Sequence, residues 1–241
     1  MDIAKKAKHP IGLSSGQDSS EQTRQRLIAV AADVFSELGY KAASTRAIVE
    51  LAETNLASIP YYFGSKRGLY HAAAEYIGSN LASRFGPACE RAWRELLQEK
   101  QNHQEMLQKF TNFVVNVTEV VWGPDAPQSW GRFVYREQLD SSEAFDILYA
   151  NFMPVFEVGF EYVSRLTKWP ATAPETRIQF MAVLAMVRLT CVDRASVLRH
   201  TGWKSFGDEE VRLVTRVLGC NMQALFNQRR DAISPDKTVM F

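Results

Sequence analysis

Charge of one sign is missing from this chain of 241 residues. Its 28 Lys and Arg stand against 27 Asp and Glu, a net charge of +1. That excludes a protein that holds polyanions by bulk charge, so any nucleic-acid contact has to be built locally. Cysteine is scarce. Cys89, Cys191 and Cys220 are an odd number without metal-ligand spacing, which excludes a disulfide scaffold and a zinc module and fits inert thiols in a reducing, cytoplasmic compartment. The apolar run Met181 to Val187 is far too short to cross a bilayer, which takes about 20 residues, so no membrane partner is expected. Lys5, Lys6 and Lys8 are followed by no apolar stretch and do not read as a signal peptide.

Catalytic patterns are missing as well. His9, His71, His103 and His200 are scattered, no glycine-rich phosphate loop follows a strand, and few segments alternate as strands do. GLSSG at 12–16 spells G-x-S-x-G, but KKAKHP precedes it where a nucleophile elbow needs a strand. The expectation is a protein that is not an enzyme and carries no cofactor and no metal.

What is present is helical periodicity. Residues 1–20 are rich in Ser, Gly, Lys and Gln and read as a disordered tail. Leu27, Ile28, Ala31, Val34, Phe35 and Leu38 then recur at helix spacing over 21–38, and Gly39 stops the helix. Ser44 is a candidate N-cap for a second helix with Ile48, Leu51 and Ala52 on one face. Asn55 is a candidate cap for a third, Leu56 to about Phe63, only three residues past Ala52. So short a connection makes the two helices cross steeply, as in a helix-turn-helix, with the later one entering the major groove. Up to Arg67 there are nine Lys/Arg against seven Asp/Glu, a slight basic excess that a dimer doubles.

The helix ending in Gly39-Tyr40, the string STRAIVELA, the short turn and YYFGSK followed by Leu69 resemble the N-terminal domain of TetR-family transcriptional regulators over residues 22–70. REQL at 136–139, a proline-interrupted helix around Pro154 and TGWxxF at 201–206 resemble the C-terminal domain of that family's CecR (YbiH) subgroup. The resemblance implies an all-α fold: a three-helix DNA-binding domain at 21–67, then a ligand-sensing and dimerisation domain of about six helices at 68–241. It implies DNA contacts from Ser44, Thr45, Arg46, Asn55, Leu56, Ala57, Ser58, Pro60, Tyr61, Tyr62 and Lys66, with Thr45, Tyr62 and Lys66 at phosphates. Two positions depart from the pattern. Glu53 stands where the turn usually has Gly, and Pro60 stands within the expected recognition helix, where it costs about 3 kcal/mol in a regular interior. A kinked helix, or one of little more than a turn, is the expectation.

Downstream, breaks are expected at Gly86-Pro87, Gly123-Pro124, 140–142, Trp169-Pro170 and 202–207. The aromatic stretch 110–162 reads either as core or as an apolar effector pocket with polar hooks such as Arg132. The pocket candidates are Phe113, Trp130, Phe133, Arg136, Glu137, Phe152, Phe156 and Met181. Residues 178–192 are apolar nearly all round, and 208–228 carry two apolar rows, one through Val214, Leu218 and Leu225 and another through Leu213 and Val217. A helix apolar on all sides is buried on two, which predicts a four-helix homodimer interface with Ala185, Met186, Leu189, Val214, Leu218 and Leu225. The function expected is a dimeric repressor that binds a palindromic operator in double-stranded DNA and is released by a small apolar or amphipathic effector. The alternative is a helical small-molecule-binding protein whose N-terminal helices contact protein partners.

Overall fold

The computed structural model describes residues 16–98, 101–122, 128–140, 142–192 and 194–227. Among the described residues there are ten helices and no strand: α1 (Gly16–Ala42), α2 (Thr45–Leu51), α3 (Ser58–Phe63), α4 (Lys66–Leu96), α5 (His103–Trp122), α6 (Gln128–Asp140), α7 (Glu143–Thr167), α8 (Pro174–Val192), α9 (Arg194–Thr201) and α10 (Asp208–Asn227). The all-α expectation holds. Seven helices follow α3 rather than about six. The helix expected from residue 21 already begins at Gly16, so the end of the expected tail is helical; the rest of that tail lies outside the described residues.

Contacts divide the chain into two compact units, one made of residues up to 80 with 127–151, the other of 81–126 with 152 onward. This differs from the linear division at residue 67, because α6 and the start of α7 join the N-terminal helices. The division falls within α4 and within α7.

In the first unit, α1 buries Leu27, Ile28, Ala31, Ala32 and Phe35, while Leu38 is half exposed. Ile48, Val49 and Ala52 face inward from α2, and Leu51 points out, so the inner face runs through Val49 rather than Leu51. Leu69, Tyr70, Ala73, Ala74 and Ile77 of α4 complete this core with Phe133 and Leu148. α6 packs along α1. α1 is not regular as far as Ala42: it is broken at Gly39, whose backbone is non-helical. The Gly39 φ of 76° lies in the left-handed region that suits glycine, and an added Cβ would sit 3.1 Å from the Arg136 guanidinium.

The second unit is an aromatic core. Phe110 stacks on Tyr162 at 5.3 Å between ring centroids and meets Phe226 edge-on at 5.5 Å, and Phe180 packs against Phe160 at 5.7 Å. The break expected at Gly86-Pro87 does not occur, since α4 runs through Pro87. Phe85, Ala88, Cys89, Ala92 and Leu96 continue one buried stripe across it. Even at about 1.5 kcal/mol for each large apolar side chain, burial along such a stripe offsets a local penalty of about 3 kcal/mol. α7 likewise continues through Pro154, with Val155, Phe156, Val158, Tyr162 and Val163 buried after it. Burial pushes the Cys89 thiol up to about 11, which makes it inert at neutral pH, whereas Cys220 is exposed; the Cys191 side chain lies outside the described residues.

Candidate nucleic-acid interface

The turn between α2 and α3 is closed by backbone bonds. The Glu53 amide donates to the Glu50 carbonyl at 3.1 Å and the Thr54 amide to the Val49 carbonyl at 2.9 Å, the two bonds of a Schellman motif with Glu53 at its left-handed position. Glu53 has φ 49°, so the conformation usually given to glycine is kept by a glutamate, at a cost of about 1–2 kcal/mol. Arg26 of α1 donates to the Glu53 carbonyl at 3.4 Å and helps hold the turn in place.

α3 begins later than the sequence predicts, at Ser58, with Ala57 as its cap residue. That removes the difficulty with Pro60. It stands in the first turn, where an amide would have no intrahelical partner, so the proline forfeits nothing there. The helix has six residues and ends at Gly64. Asn55 closes the turn that leads into α3 and is not the cap of the helix itself: its Oδ1 accepts from the Ser58 amide at 3.1 Å and from the Ser58 hydroxyl at 3.3 Å. Ser44 has the extended backbone usual for an N-cap and its carbonyl receives the Ile48 amide at 3.0 Å, but its hydroxyl does not make the expected side-chain cap bond.

α4 starts where the YYFGSK string ends. Ser65 Oγ accepts the Gly68 amide at 3.1 Å, an N-cap bond that leaves Lys66 as the first helical residue. Gly68 is required by close approach, since a Cβ there would lie 2.0 Å from the Phe63 carbonyl oxygen. The Lys66 ammonium sits 4.7 Å from the Tyr40 ring centroid, and the Tyr62 hydroxyl is 3.0 Å from the Ser20 hydroxyl.

The residues expected at DNA thus fall into three groups. Ser44, Arg46, Asn55, Leu56, Ala57, Pro60 and Tyr61 are exposed, and Thr45, Tyr62 and Lys66 are half-buried. Ser58 is turned inward at 9% exposure, bonded to Thr54 Oγ1 at 2.8 Å, so it braces the turn and does not face a groove.

The pocket candidates do not assemble as expected. Arg136 donates to the Phe35 carbonyl at 2.9 Å and the Ser36 carbonyl at 3.3 Å, closing the last turn of the first helix before Gly39. The Glu137 carboxylate is 3% exposed and accepts bonds from the Tyr70 and Ser142 hydroxyls. Arg132 pairs with Glu37. These polar groups therefore serve as structural ties within the first unit. Trp130 and Phe133 are core of the same unit. Phe113 and Phe156 belong to the aromatic core of the second, Phe152 is half-buried beside Phe85, and Met181 is 37% exposed on α8. Sequence reasoning missed two polar groups that do reach this core: the Tyr162 hydroxyl donates to Glu95 at 3.1 Å, and burial pushes the Tyr162 phenol well above its ordinary value.

Among the expected interface residues, Ala185 is exposed, and Met186, Val214 and Leu225 are half-buried. Leu218, 5% exposed, is spent in the core of its own chain with Met222 and Phe226. The Leu189 side chain lies outside the described residues. The outward row of α10 is the other one, through Leu213 at 43% and Val217 at 50% exposure.

A glutamate-closed turn, a short exposed helix and a capped helix start, all braced by α1, place this chain among helix-turn-helix DNA-binding regulators. Residues 27–73 match the bacterial regulatory proteins of the tetR family, and residues 106–228, half of the chain, match the C-terminal domain of the HTH-type transcriptional dual regulator CecR. The chain belongs to the TetR family of transcriptional regulators, with a C-terminal domain of the CecR type. It is 26% identical over 206 residues to the HTH-type transcriptional dual regulator CecR of Shigella flexneri, covering 85% of this chain and 92% of that one. In fold it is similar to a TetR-like transcriptional regulator from Rhodococcus sp. RHA1, with a TM-score of 0.58 at 18% identity over 84% of this chain and 95% of that one. It is likewise similar to HlyIIR, a hemolysin II transcriptional regulator, with a TM-score of 0.53 at 19% identity over 83% and 98% of the two chains. No described helix is long and apolar enough to cross a membrane.

Proposed function

We infer that this DNA-binding regulator works in the cytoplasm as a homodimer on a palindromic operator, and that a small apolar or amphipathic effector releases it. The observation that carries the dimer is a band of apolar side chains left in water. Ile178, at 69% exposure, shares one face of α8 with Met181, Ala182 and Ala185, while Phe180, Val183 and Val187 face inward. Leu213 and Val217 form a second exposed row on α10, which packs against α8. Two such helices from each chain make a four-helix interface, and the symmetry of a dimer demands an operator with matching symmetry.

The effector site is assigned to the aromatic core of the second unit around Phe113, Phe152 and Phe156, with Tyr162 and Glu95 as polar contacts in place of Arg136 and Glu137. An effector acts only through a difference in affinity between the DNA-binding and released states, so its occupancy must lower operator affinity measurably. The named relative is a dual regulator. For this chain we assign repression relieved by the effector, the sign being set by where the operator lies. Selection of bound duplexes from a random pool tests the DNA reading, and sedimentation of the same protein tests the dimer. A recovered palindrome with a monomer at micromolar concentration would overturn the two-half-site arrangement while leaving DNA binding in place.

A further inference from the structure

The side chains near α3 that could read base edges by hydrogen bonding are turned toward one another. Bidentate recognition of adenine by asparagine needs both the amide oxygen and the amide nitrogen. Asn55 Oδ1 is already engaged by the Ser58 amide and hydroxyl, at 3.1 and 3.3 Å. The Ser58 hydroxyl is shared with Thr54 at 2.8 Å and buried.

What faces outward is of another kind. Leu56 is 48% exposed, Tyr61 is 77% exposed, and Ala57 and Pro60 are exposed between them. Pro60 and Tyr61 lie on α3, and Leu56 and Ala57 in the turn that leads into it, all four on the exposed side of this segment. Apart from the Tyr61 hydroxyl this side carries no side-chain hydrogen-bonding atom, and Pro60 lacks even an amide.

In the major groove, the apolar feature that distinguishes one base pair from another is the 5-methyl group of thymine. We propose that α3 reads its operator through thymine methyl groups, which pack against Leu56, Ala57, Pro60 and the Tyr61 ring. Specificity at the base pairs under this face then comes from methyl burial instead of bidentate hydrogen bonds. Pro60 adds stiffness, holding the face in one shape before DNA arrives. Arg46, exposed at the second residue of α2, lies outside this patch. The inference rests on α3 being the element in the major groove.

The test uses the full chain and the duplex recovered by selection, with deoxyuridine replacing thymine one position at a time in both half-sites. This removes the methyl and leaves Watson–Crick pairing intact. At about fourfold per buried methyl, the expected loss is about sixteenfold for a symmetric pair, confined to two or three adjacent positions. Tyr61→Ala and Leu56→Ala, both at exposed positions, are expected to keep the wild-type circular dichroism. Each should abolish the penalty at one position while sparing the others. Selective operator binding that changes less than twofold at every uridine would overturn methyl reading. Failure to bind any duplex would instead overturn the placement of α3 in the groove.

Discussion

Replacing Arg136 with alanine separates two roles that the sequence leaves open, a hook for the effector and a tie to α1. The guanidinium spans the Phe35 and Ser36 carbonyls at 2.9 and 3.3 Å and lies over Gly39, whose left-handed backbone ends the helix there. Both carbonyls belong to fully buried residues. A hydrogen bond from a charged donor contributes about 1.5–3 kcal/mol net. Arg136 itself is half-buried, so water replaces part of what is lost, and the two bonds together are placed at about 2–3 kcal/mol. For a chain of this size each kcal/mol moves the melting temperature by about 2–4 °C. Arg136→Ala is therefore expected to lower it by about 4–12 °C in thermal melts followed by circular dichroism without any ligand. Arg136→Lys keeps the charge but not the fork that spans two carbonyls, so it should recover less than half of that loss. A variant that melts within about 1 °C of the wild type, yet binds effector more weakly, would refute the tie and restore the hook.

Three further outcomes follow from the interface. Gly68→Ala sets a Cβ against the Phe63 carbonyl oxygen, backbone that can move only by reshaping the α3–α4 junction; about 1–3 kcal/mol of stability and most operator affinity should be lost, seen by urea melts and anisotropy. Lys66→Ala should weaken binding to all duplexes alike and flatten the plot of log affinity against log salt by about one unit; an unchanged slope would remove Lys66 from the phosphates. Pro60→Ala, at an exposed first-turn position, should leave thermal stability equal or lower by up to about 1 kcal/mol and weaken operator binding, and a clear rise in melting temperature with unchanged affinity would mark the proline as merely tolerated.

The parts of the molecule legible in its sequence are those determined by near neighbours. The apolar spacing of Leu27, Ile28, Ala31 and Phe35, the glycine at 39 and the short step from Ala52 to Asn55 each act within a turn or two, and the helices they imply are present. Local rules failed where distant partners decide. Pro87 reads as a break and Pro154 as an interruption within a helix, but the stripes around them are buried against helices far away in sequence. Arg136 and Glu137 read as pocket hooks although Ser142, close by in sequence, already bonds Glu137. Their partners Phe35 and Tyr70 lie about 100 and 67 residues away. On α10 two apolar rows are visible in the sequence, and only the packing of Leu218, Met222 and Phe226 shows which of them is already spent. At α3 an expected clash dissolved because the helix begins two residues later than its apolar pattern suggests.

Residues 127–151 complete the unit that holds α1, α2 and α3, and this bears on how such a regulator can be rebuilt. A chimera cut once, after the helix-turn-helix, would carry α1 into a foreign protein without the arginine that closes its last turn and without the buried carboxylate that Tyr70 donates to. To transfer the operator preference of this chain onto another sensor, the exchange has to be made in two pieces. The recipient's own counterpart of residues 81–126 would then stay between them, and a recombinant that keeps Gly39 but loses Arg136 would inherit the bend without its support.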